Sequence, residues 1–239
     1  MDERYSRQIA FNGIGEGGQR KLGASRVCIV GLGALGTAAA DRLCRAGVGA
    51  LRLIDDDYVE PSNLQRQTLY IEADVGDYKC RAAAKRLWEI NSEMKVYVEK
   101  YALDASNANG LLKGCDVVLD CTDNFAARHI INETCHKLVT PWIHGAAAGS
   151  TGTVFAVVPG GPCFRCLYPN PDLSGESAAT SGMLGTLTGI VGALQANEAI
   201  KLLVGAEPAG LLMFDVWRGT FDTVPLERNP GCPVCGGSK

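Results

Sequence analysis

The sequence predicts an α/β protein with a mostly parallel sheet that antiparallel strands continue, and with helices on both faces of the sheet. Three observations carry this prediction. Short apolar runs alternate with helical patterns over about the first 140 residues, as in a parallel sheet with crossover helices. A glycine-rich turn joins the first apolar run to an Ala-rich helix. Beyond residue 141 the pattern changes to apolar/polar alternation with Pro-Gly turns, which is typical of antiparallel strands.

The first βαβ unit extends from Arg26 to Asp57. Its apolar run Val27–Val30 reads as a buried parallel strand, and a Gly-x-Gly-x-x-Gly turn opens the following helix. Such a Rossmann-like turn uses its glycines for a tight bend, for close approach of backbone N–H groups to a phosphate, and for close packing of helix on strand. The three glycines are Gly31, Gly33 and Gly36.

Polar residues at and after the end of the second strand narrow the choice of ligand. Asp55 follows the strand Leu51–Ile54 directly, where an acid can accept hydrogen bonds from ribose hydroxyls. Up to this point the pattern fits an NAD-dependent dehydrogenase as well as an ATP enzyme. Asn63, Arg66 and Lys79 come next along the chain. A dehydrogenase usually needs no cluster of phosphate-binding groups there, so two cations and an amide suggest a triphosphate.

A third buried run, Asp116–Asp120, ends in the turn Cys-Thr-Asp-Asn. Open α/β sheets bind ligands at this carboxyl edge. Asp123 could bind the magnesium of a nucleotide there, because hard oxygen donors suit that ion. Either Thr122 or Asp123 could cap the helix that follows, and capping is the role assigned to Thr122. His144 is interpreted as a packed, hydrogen-bonded core residue and not as a catalyst.

The remaining elements follow from periodicity. Residues 78–90 have apolar residues at helical spacing, which places Lys79 at a helix start; the alternating VYVEKYAL predicts a strand. TGTVFAVVP predicts an antiparallel strand. Leu184–Val204 predicts a long helix whose small residues could pack closely on a neighbour, either within the chain or in a second subunit.

Composition excludes several classes of protein. The net charge is −3, with 23 Lys+Arg against 26 Asp+Glu, which gives no footprint for nucleic acid or an anionic membrane. The N-terminus is charged from its second residue, so we expect no secretory signal and a cytoplasmic location. Two long uncharged runs, Leu138–Phe164 and Ser177–Asn197, are broken by Pro, Gly or polar residues. The sequence therefore predicts no membrane span.

Four of the ten cysteines form two Cys-x-x-Cys pairs, and six stand singly, mostly in apolar surroundings. Two such knuckles, flanked by Pro and Gly, predict a tetrahedral Cys₄ zinc site. A closed four-sulfur shell leaves no open position, so the metal would staple the C-terminus and would not take part in chemistry. The predicted ligands are Cys163, Cys166, Cys232 and Cys235.

Taken in order, RYSRQI, GLGALG, the acidic end of the second strand, SNLQRQ, Lys79, CTDN and the two knuckles resemble the MoeB/ThiF/HesA family of ubiquitin-activating-enzyme-like adenylyltransferases. The resemblance covers nearly the whole chain. It implies that Mg-ATP adenylates the C-terminal Gly-Gly carboxylate of a small ubiquitin-fold sulfur-carrier protein, releasing pyrophosphate. The acyl-AMP would then serve sulfur transfer in thiamin, molybdopterin or related biosynthesis.

The resemblance also implies a homodimer and a role for individual residues. Arg66 and Lys79 would clamp the phosphates, Asp123 would hold magnesium or orient the α-phosphate, and Arg7 would reach the γ-phosphate of the other subunit. From composition alone, Arg7 reads as part of a solvated helix face. One domain over residues 1–239 would have a nucleotide-binding half at about 1–140 and a carrier-binding and zinc half at about 141–239. The implied nucleotide-binding set is Gly31, Gly33, Ala34, Gly36, Asp55, Asp57, Ser62, Asn63, Arg66, Lys79, Asp123 and Asn124.

The sequence departs from the family in one loop. Several members carry a cysteine before the long helix, whereas here the matching place is held by Ala178 or a near neighbour, and no cysteine lies between Cys166 and Cys232. We therefore expect adenylation without a covalent carrier link on this loop. Cys80, the lone thiol near the predicted site, is assigned a packing role. Three alternatives remain: adenylation of a peptide or another small carboxylate, an NAD-dependent oxidoreductase, and a non-catalytic nucleotide-binding scaffold.

Overall fold

The computed structural model describes residues 3–170 and 182–237. The strands in this part of the chain are β1 (Arg26–Val30), β2 (Ala50–Ile54), β3 (Lys95–Glu99), β4 (Val117–Asp120), β5 (Trp142–Ala148), β6 (Thr151–Val157), β7 (Leu211–Asp215) and β8 (Thr220–Val224). The helices are α1 (Ser6–Ile9), α2 (Gly15–Ala24), α3 (Ala34–Arg45), α4 (Lys79–Ile90), α5 (Ala108–Leu112), α6 (Phe125–Leu138), α7 (Phe164–Leu167) and α8 (Gly185–Val204), with 3₁₀ turns at Glu3–Tyr5, Pro61–Asn63 and Glu72–Asp74.

These strands form one sheet in the order β3-β2-β1-β4-β5-β6-β7-β8. The first five strands in this order, β3, β2, β1, β4 and β5, pair in parallel. Strands β6, β7 and β8 continue the sheet in antiparallel pairs. The mixed sheet of the sequence prediction is confirmed. The chain runs outward from β1 to β3 and then returns to β4 on the other side of β1. This reversal opens a crevice at the carboxyl ends of β1 and β4, the place where open α/β sheets bind ligands.

Two apolar cores cover the two faces of the sheet. Along β1, Val27 and Ile29 face a core shared with α3, α4 and α8, while Cys28 and Val30 face a core shared with α6, α7 and the C-terminal cysteines. This alternation is the period of two expected of a strand buried on both faces. The predicted helices on both faces are therefore confirmed.

The long helix α8 packs on α3 and against strands β4 to β6 of the same chain. A Cβ atom on Gly192 would lie 2.6 Å from the carbonyl oxygen of Leu35 and 2.7 Å from the Cβ of Ala38. The small residues predicted from the sequence thus serve an intrachain contact, in which the backbones of α8 and α3 approach each other closely.

Helix α8 also has the length and composition of a membrane span, with a mean hydropathy of 1.2. The interpretation that the composition of the run Ser177–Asn197 is unlike that of a membrane span is therefore wrong for the part of the run within α8, whereas the prediction that the protein has no membrane span is not contradicted. Core helices of soluble proteins meet the same criterion, because they too are apolar on most sides. Gln195 and Glu198 of α8 are buried in hydrogen bonds to the rest of the fold, as expected of a helix that packs in a protein core.

The α3–α8 contact gives a stability prediction with a control on the same helix. Gly192→Ala should lower the free energy of unfolding by about 1–3 kcal/mol, because the added methyl group meets backbone atoms of α3. Gly189→Ala adds its methyl group to open space and should raise stability by about 0.5–1 kcal/mol through helix propensity. Urea unfolding of both variants measures the difference. Equal stability of the two variants would contradict the packing described.

Candidate active site

A cleft of about 980 Å³ opens at the carboxyl edge of the sheet. It lies between the glycine turn after β1, the acidic turn after β2, the loop after β4 and the facing ends of β5 and β6. The predicted nucleotide-binding residues that line it are Gly31, Gly33, Ala34, Asp55, Asp57, Asn63, Arg66, Lys79, Asp123 and Asn124.

The glycine turn allows three chain segments to meet at the cleft. Gly31 has a φ of +88°, and a Cβ atom there would lie 2.7 Å from the carbonyl oxygen of Cys121. Gly36 does not line the cleft. A Cβ atom at Gly36 would lie 2.0 Å from the carbonyl oxygen of Gly31, so this glycine permits close packing of α3 on the turn. Gly33 and Ala34 stand at the N-terminus of α3, where backbone N–H groups favour an anion.

Asp55 is held against the glycine turn. Its Oδ2 accepts a hydrogen bond from the backbone N–H of Leu32 at 2.6 Å, and its Oδ1 accepts one from Asp57 at 2.9 Å. Burial raises the pKa of Asp55, and these backbone hydrogen bonds oppose the rise. Each carboxylate oxygen keeps a further lone pair, so the group can still accept hydrogen bonds on its cleft side.

Lys79 is the first residue of α4 and one of the buried charged residues of the described chain. Its Nζ forms a 2.8 Å ion pair with Asp57 Oδ2; the lysine side chain is 10% exposed and the aspartate side chain 68%. The backbone N–H of Lys79 also donates to the carbonyl of Asp57 at 2.9 Å. Lys79 is therefore fixed at the cleft wall by a partner that remains open to solvent.

Asn63 and Arg66 lie in the connection between β2 and α4. Asn63 is buried, and its Oδ1 accepts a hydrogen bond from the backbone N–H of Glu60 at 3.1 Å. Arg66 donates from Nη1 to the carbonyl of Ser62 at 2.9 Å. The hydroxyl of Ser62 donates to the Glu60 carboxylate, and Ser62 does not line the cleft. The structure thus brings Asn63 and Arg66 to the cleft and leaves Ser62 outside it.

The helix after β4 is capped by Asn124, whose Oδ1 accepts a hydrogen bond from the backbone N–H of Ala127 at 2.9 Å. The expectation that Thr122 caps this helix is therefore wrong. The Thr122 hydroxyl turns back and donates to Asp120 Oδ1 at 2.6 Å. Asp123, between them, presents an exposed carboxylate at the cleft.

A buried polar cluster lies beneath this loop. Asp120 is fully buried and accepts a hydrogen bond from Nδ1 of His144 at 3.0 Å, while Arg128 lies 3.5 Å from the same carboxylate. Burial lowers the pKa of His144, and the hydrogen bond to Asp120 opposes this. His144 is therefore the packed, hydrogen-bonded core residue that the sequence predicts. The role of Arg128 was missed, although its position one helical turn after Asn124 places it on the same helix face.

The four predicted metal ligands converge on one point. The Sγ atoms of Cys163, Cys166, Cys232 and Cys235 all lie within 4.8 Å of one another. The contacts between knuckles are 3.6 Å for Cys163–Cys232 and 3.4 Å for Cys166–Cys235. A tetrahedral zinc site with Zn–S bonds of 2.3 Å has S···S separations of about 3.8 Å, so the donor set and its size fit a metal ion.

Three further predictions concern Arg7, Ala178 and Cys80. Arg7 is exposed on α1 and is not among the described residues that line the cleft. Ala178 lies in residues 171–181, outside the described parts of the chain. Cys80 is fully buried beside Lys79, and burial raises the pKa of its thiol. A raised pKa disfavours the reactive thiolate and supports the packing role predicted for Cys80.

Sequence reasoning also missed part of the cleft wall. Gln67 is 4% exposed and lines the cleft next to Arg66, inside a motif already singled out. The residues contributed by the turn after β3 and by the ends of β5 and β6 carried no local signal, because only the sheet topology brings them there. They are Tyr101, Ala102, Leu103, Ala146, Ala147, Ala148, Thr151, Gly152 and Thr153.

The fold and this cleft define an α/β nucleotide-binding protein. Comparison of the sequence with known families goes further, because the ThiF family matches residues 5–234. The chain belongs to the ThiF family. The resemblance drawn from the sequence motifs is therefore confirmed.

Named relatives cover nearly the full chain. The chain is 45% identical to the molybdopterin-synthase adenylyltransferase of Escherichia coli, over 98% of this chain and 96% of that protein. It is 44% identical to the E. coli sulfur carrier protein ThiS adenylyltransferase, over 98% and 95%. It is 43% identical to the SAMP-activating enzyme E1 of Haloferax volcanii, over 98% and 88%. The chain is thus an adenylyltransferase of this family, which argues against an NAD-dependent oxidoreductase.

Solved structures show the same fold. The crystal structure of E. coli MccB with ATP superposes with a TM-score of 0.87 at 25% identity, covering 99% of this chain and 75% of that one. The structure of MccB with MccA-N7isoASN superposes with a TM-score of 0.89 at 25% identity, covering 99% and 76%.

Proposed function

We propose that this adenylyltransferase uses ATP to activate the C-terminal Gly-Gly carboxylate of a small ubiquitin-fold sulfur-carrier protein as an acyl-AMP. The observation that carries the proposal is the convergence of a ribose-type acid, two cations and an exposed carboxylate on one cleft in a ThiF-family chain. The names of the relatives support the substrate class, since they are adenylyltransferases for molybdopterin synthase and ThiS and an activating enzyme for SAMP. The acyl-AMP would supply sulfur transfer in thiamin, molybdopterin or related biosynthesis.

The cleft suggests how ATP would bind. Asp55 would accept hydrogen bonds from the ribose, and Gly33 with Ala34 would place the phosphates at the N-terminus of α3. Asn63, Arg66 and Lys79 would surround the triphosphate, with Arg66 offering a bidentate fork and Lys79 a point charge. Lys79 would then exchange its contact with Asp57 for one with phosphate.

The cleft also offers oxygen donors that suit magnesium. The exposed Asp123 carboxylate, the amide oxygen of Asn124 and the Asp57 carboxylate that Lys79 would release are all oxygen donors of the kind magnesium prefers. When bound, the ion would neutralise phosphate charge.

The chemistry needs positioning more than proton transfer. A carboxylate oxygen of the carrier attacks the α-phosphorus, the new P–O bond forms the acyl-AMP, and the bond to the bridging oxygen breaks to release pyrophosphate. The attacking carboxylate is already ionised, so no general base is required. Negative charge grows on the phosphate oxygens, and the cations Arg66 and Lys79 stabilise it in the transition state.

We further propose zinc for the cysteine cluster and a homodimer in the cytoplasm. Four thiolates in a tetrahedral arrangement suit zinc, and a closed shell fits a structural role. In the homodimer, the exposed Arg7 of one protomer would reach the γ-phosphate in the partner's cleft, because it does not line the cleft of its own chain among the described residues. No nucleic-acid or membrane partner is proposed.

The alternative substrate class is a peptide or another small carboxylate, whose adenylation would use the same cleft with a different acceptor. The named adenylyltransferases among the relatives argue against a non-catalytic scaffold.

ATP/pyrophosphate exchange with zinc-replete protein and a panel of small Gly-Gly-ended carriers tests the proposal. We expect exchange with one carrier of the panel, and Lys79→Ala or Arg66→Ala should lower its kcat by about 100-fold or more through lost transition-state stabilisation. Arg81→Ala is the matched control, since Arg81 is exposed on the same helix and pairs with Asp77 away from the cleft. Exchange at wild-type rates by the Lys79 and Arg66 variants would refute their roles, and ATP binding without exchange would favour the scaffold.

Removal of the metal should release the C-terminal segment, residues 232–235, from residues 163–166. We expect wild-type protein to carry stoichiometric zinc and to lose Tm on chelation, because the ion ties residues 163–166 to residues 232–235. Cys235→Ser should lose zinc, whereas Cys135→Ser, at a buried thiol outside the cluster, should retain it. Elemental analysis and thermal unfolding measure both. The proposed metal site would be ruled out if the purified protein contained no zinc and chelator left its Tm unchanged.

The partner role of Arg7 predicts complementation. Arg7→Ala and Lys79→Ala should each be inactive, yet subunits mixed after dissociation should regain exchange, because one cleft then has Lys79 and faces Arg7 of the partner subunit. A mixture no more active than its components would show that Arg7 does not act across the dimer.

A further inference from the structure

The loop Cys121–Asn124 carries the exposed Asp123 between β4 and α6, and its position is set by the residues that pack beneath it. Three groups of Thr122 are tied from beneath. Asp120 Oδ1 accepts hydrogen bonds from the Thr122 backbone N–H at 3.1 Å and from its hydroxyl at 2.6 Å. The Thr122 carbonyl accepts a hydrogen bond from Arg128 Nη2 at 2.9 Å. Thr122, the residue next to Asp123, is thus held through its backbone N–H, its hydroxyl and its carbonyl.

Asp120 is in turn fixed by three separate elements. His144 of β5 donates from Nδ1 to its Oδ2 at 3.0 Å, and Arg128 of α6 lies 3.5 Å from the same oxygen. Gln195 of α8 donates from Nε2 to the Asp120 backbone carbonyl at 2.7 Å. Asp120 and His144 are both fully buried. A carboxylate this deeply buried is stable only with all of its partners in place.

His144 has a single direction in which to donate. It pairs with Asp120 in the register of β4 and β5, and the ring of Phe164 lies 4.9 Å from its own. Its Nε2 is buried and has no hydrogen-bond partner among the described residues. The proton of the neutral imidazole therefore belongs on Nδ1, which donates a hydrogen bond to the Asp120 carboxylate. The ring of Phe164 packs against the imidazole and keeps it from turning.

We propose that Asp120, His144 and Arg128 form a positioning unit that holds the Cys121–Asn124 loop, and with it the Asp123 carboxylate, in the geometry that Mg-ATP requires. Asp120 and His144 do not line the cleft, so they act through the loop and not on the nucleotide. This inference rests on the proposed adenylation. It adds a requirement that the cleft residues alone do not contain, namely a neutral histidine donor under the loop.

The test compares two substitutions of His144. His144→Leu removes the donor at similar volume, and His144→Asn retains an N–H near the Nδ1 position. His144→Leu should lower kcat for pyrophosphate exchange by about 10- to 100-fold, since a displacement of about 1 Å near reacting groups has effects of this size. It should also raise the magnesium concentration for half-maximal rate, with KM for ATP at saturating magnesium unchanged. His144→Asn should restore both values toward wild type.

Two further variants separate positioning from loss of stability. Thr122→Val removes the hydroxyl bond to Asp120 without changing side-chain shape, and it should reproduce the magnesium shift even if His144→Leu fails to fold. Leu112→Ala leaves a cavity at a fully buried site of α5 outside the cleft. It should lower Tm while kcat and the magnesium dependence, measured well below Tm, stay at wild type. Equal kinetic losses in Leu112→Ala, or none in His144→Leu and Thr122→Val, would overturn the proposal.

Hydrogen exchange of the loop keeps this inference distinct from the proposed function. If the wild type exchanges no pyrophosphate with any carrier, the proposed function fails. Loss of protection at the Thr122 amide in His144→Leu, with protection kept in His144→Asn and Leu112→Ala, would still establish that the unit holds the loop. Unchanged protection in His144→Leu would refute it.

Discussion

The close approach of β1, α3 and the loop after β4 is the constraint on which the cleft depends. A side chain at Gly31 would meet the backbone of Cys121, and one at Gly36 would meet the backbone of Gly31. Both glycines therefore let a helix N-terminus and an acidic loop stand side by side at one edge of the sheet. Helix α8 packs on α3 through Gly192, where a side chain would meet the backbone of Leu35. Close backbone packing therefore extends to the second half of the chain.

The charges of the cleft are arranged as pairs and buried supports. Lys79 pairs with Asp57, and Asp55 accepts hydrogen bonds from the backbone N–H of Leu32 in the glycine turn and from that of Asp57, so each is oriented in the free protein. Orientation before binding lowers the cost of ordering side chains around a ligand. The loop after β4 is oriented in the same way, from the buried side by Asp120. The structure thus prepares both the cationic and the anionic walls of the cleft.

The cysteine cluster is connected to the supports of that loop. Phe164 stands between Cys163 and Cys166, its backbone N–H donates to Asn132 Oδ1 at 3.0 Å, and its ring packs on His144. A metal that fixes the first knuckle would also fix the wall behind His144. The staple and the loop are in this sense parts of one packed region.

Local sequence patterns were sufficient for the elements with a strong period or a strong motif. The glycine turn, the acid after β2, Lys79 at the start of α4 and the paired knuckles all lie where their spacing predicts. Capping was not predictable in the same way, because Thr122 and Asn124 are both good caps and the buried Asp120 decides between them.

Long-range contacts set the remaining limits of prediction. Arg128 and Gln195 reach Asp120 only because α6 and α8 pack on opposite faces of β4, a relation that no local pattern encodes. The apolar composition of α8 likewise reflects its packing on α3. The sequence of the helix alone does not show this contact. Ser62, inside the strongest motif, turns away to Glu60, which only the geometry of the turn reveals.

The central claim is that the cleft holds Mg-ATP with its ribose at Asp55 and its triphosphate between Arg66 and Lys79. A crystal structure with magnesium and a non-hydrolysable ATP analogue tests it most directly. The account predicts ribose hydroxyls within hydrogen-bond distance of Asp55, Lys79 moved from Asp57 to a phosphate oxygen, and the metal near Asp123. A nucleotide bound with its phosphates away from Lys79 and Arg66, with the Lys79–Asp57 pair intact, would contradict it.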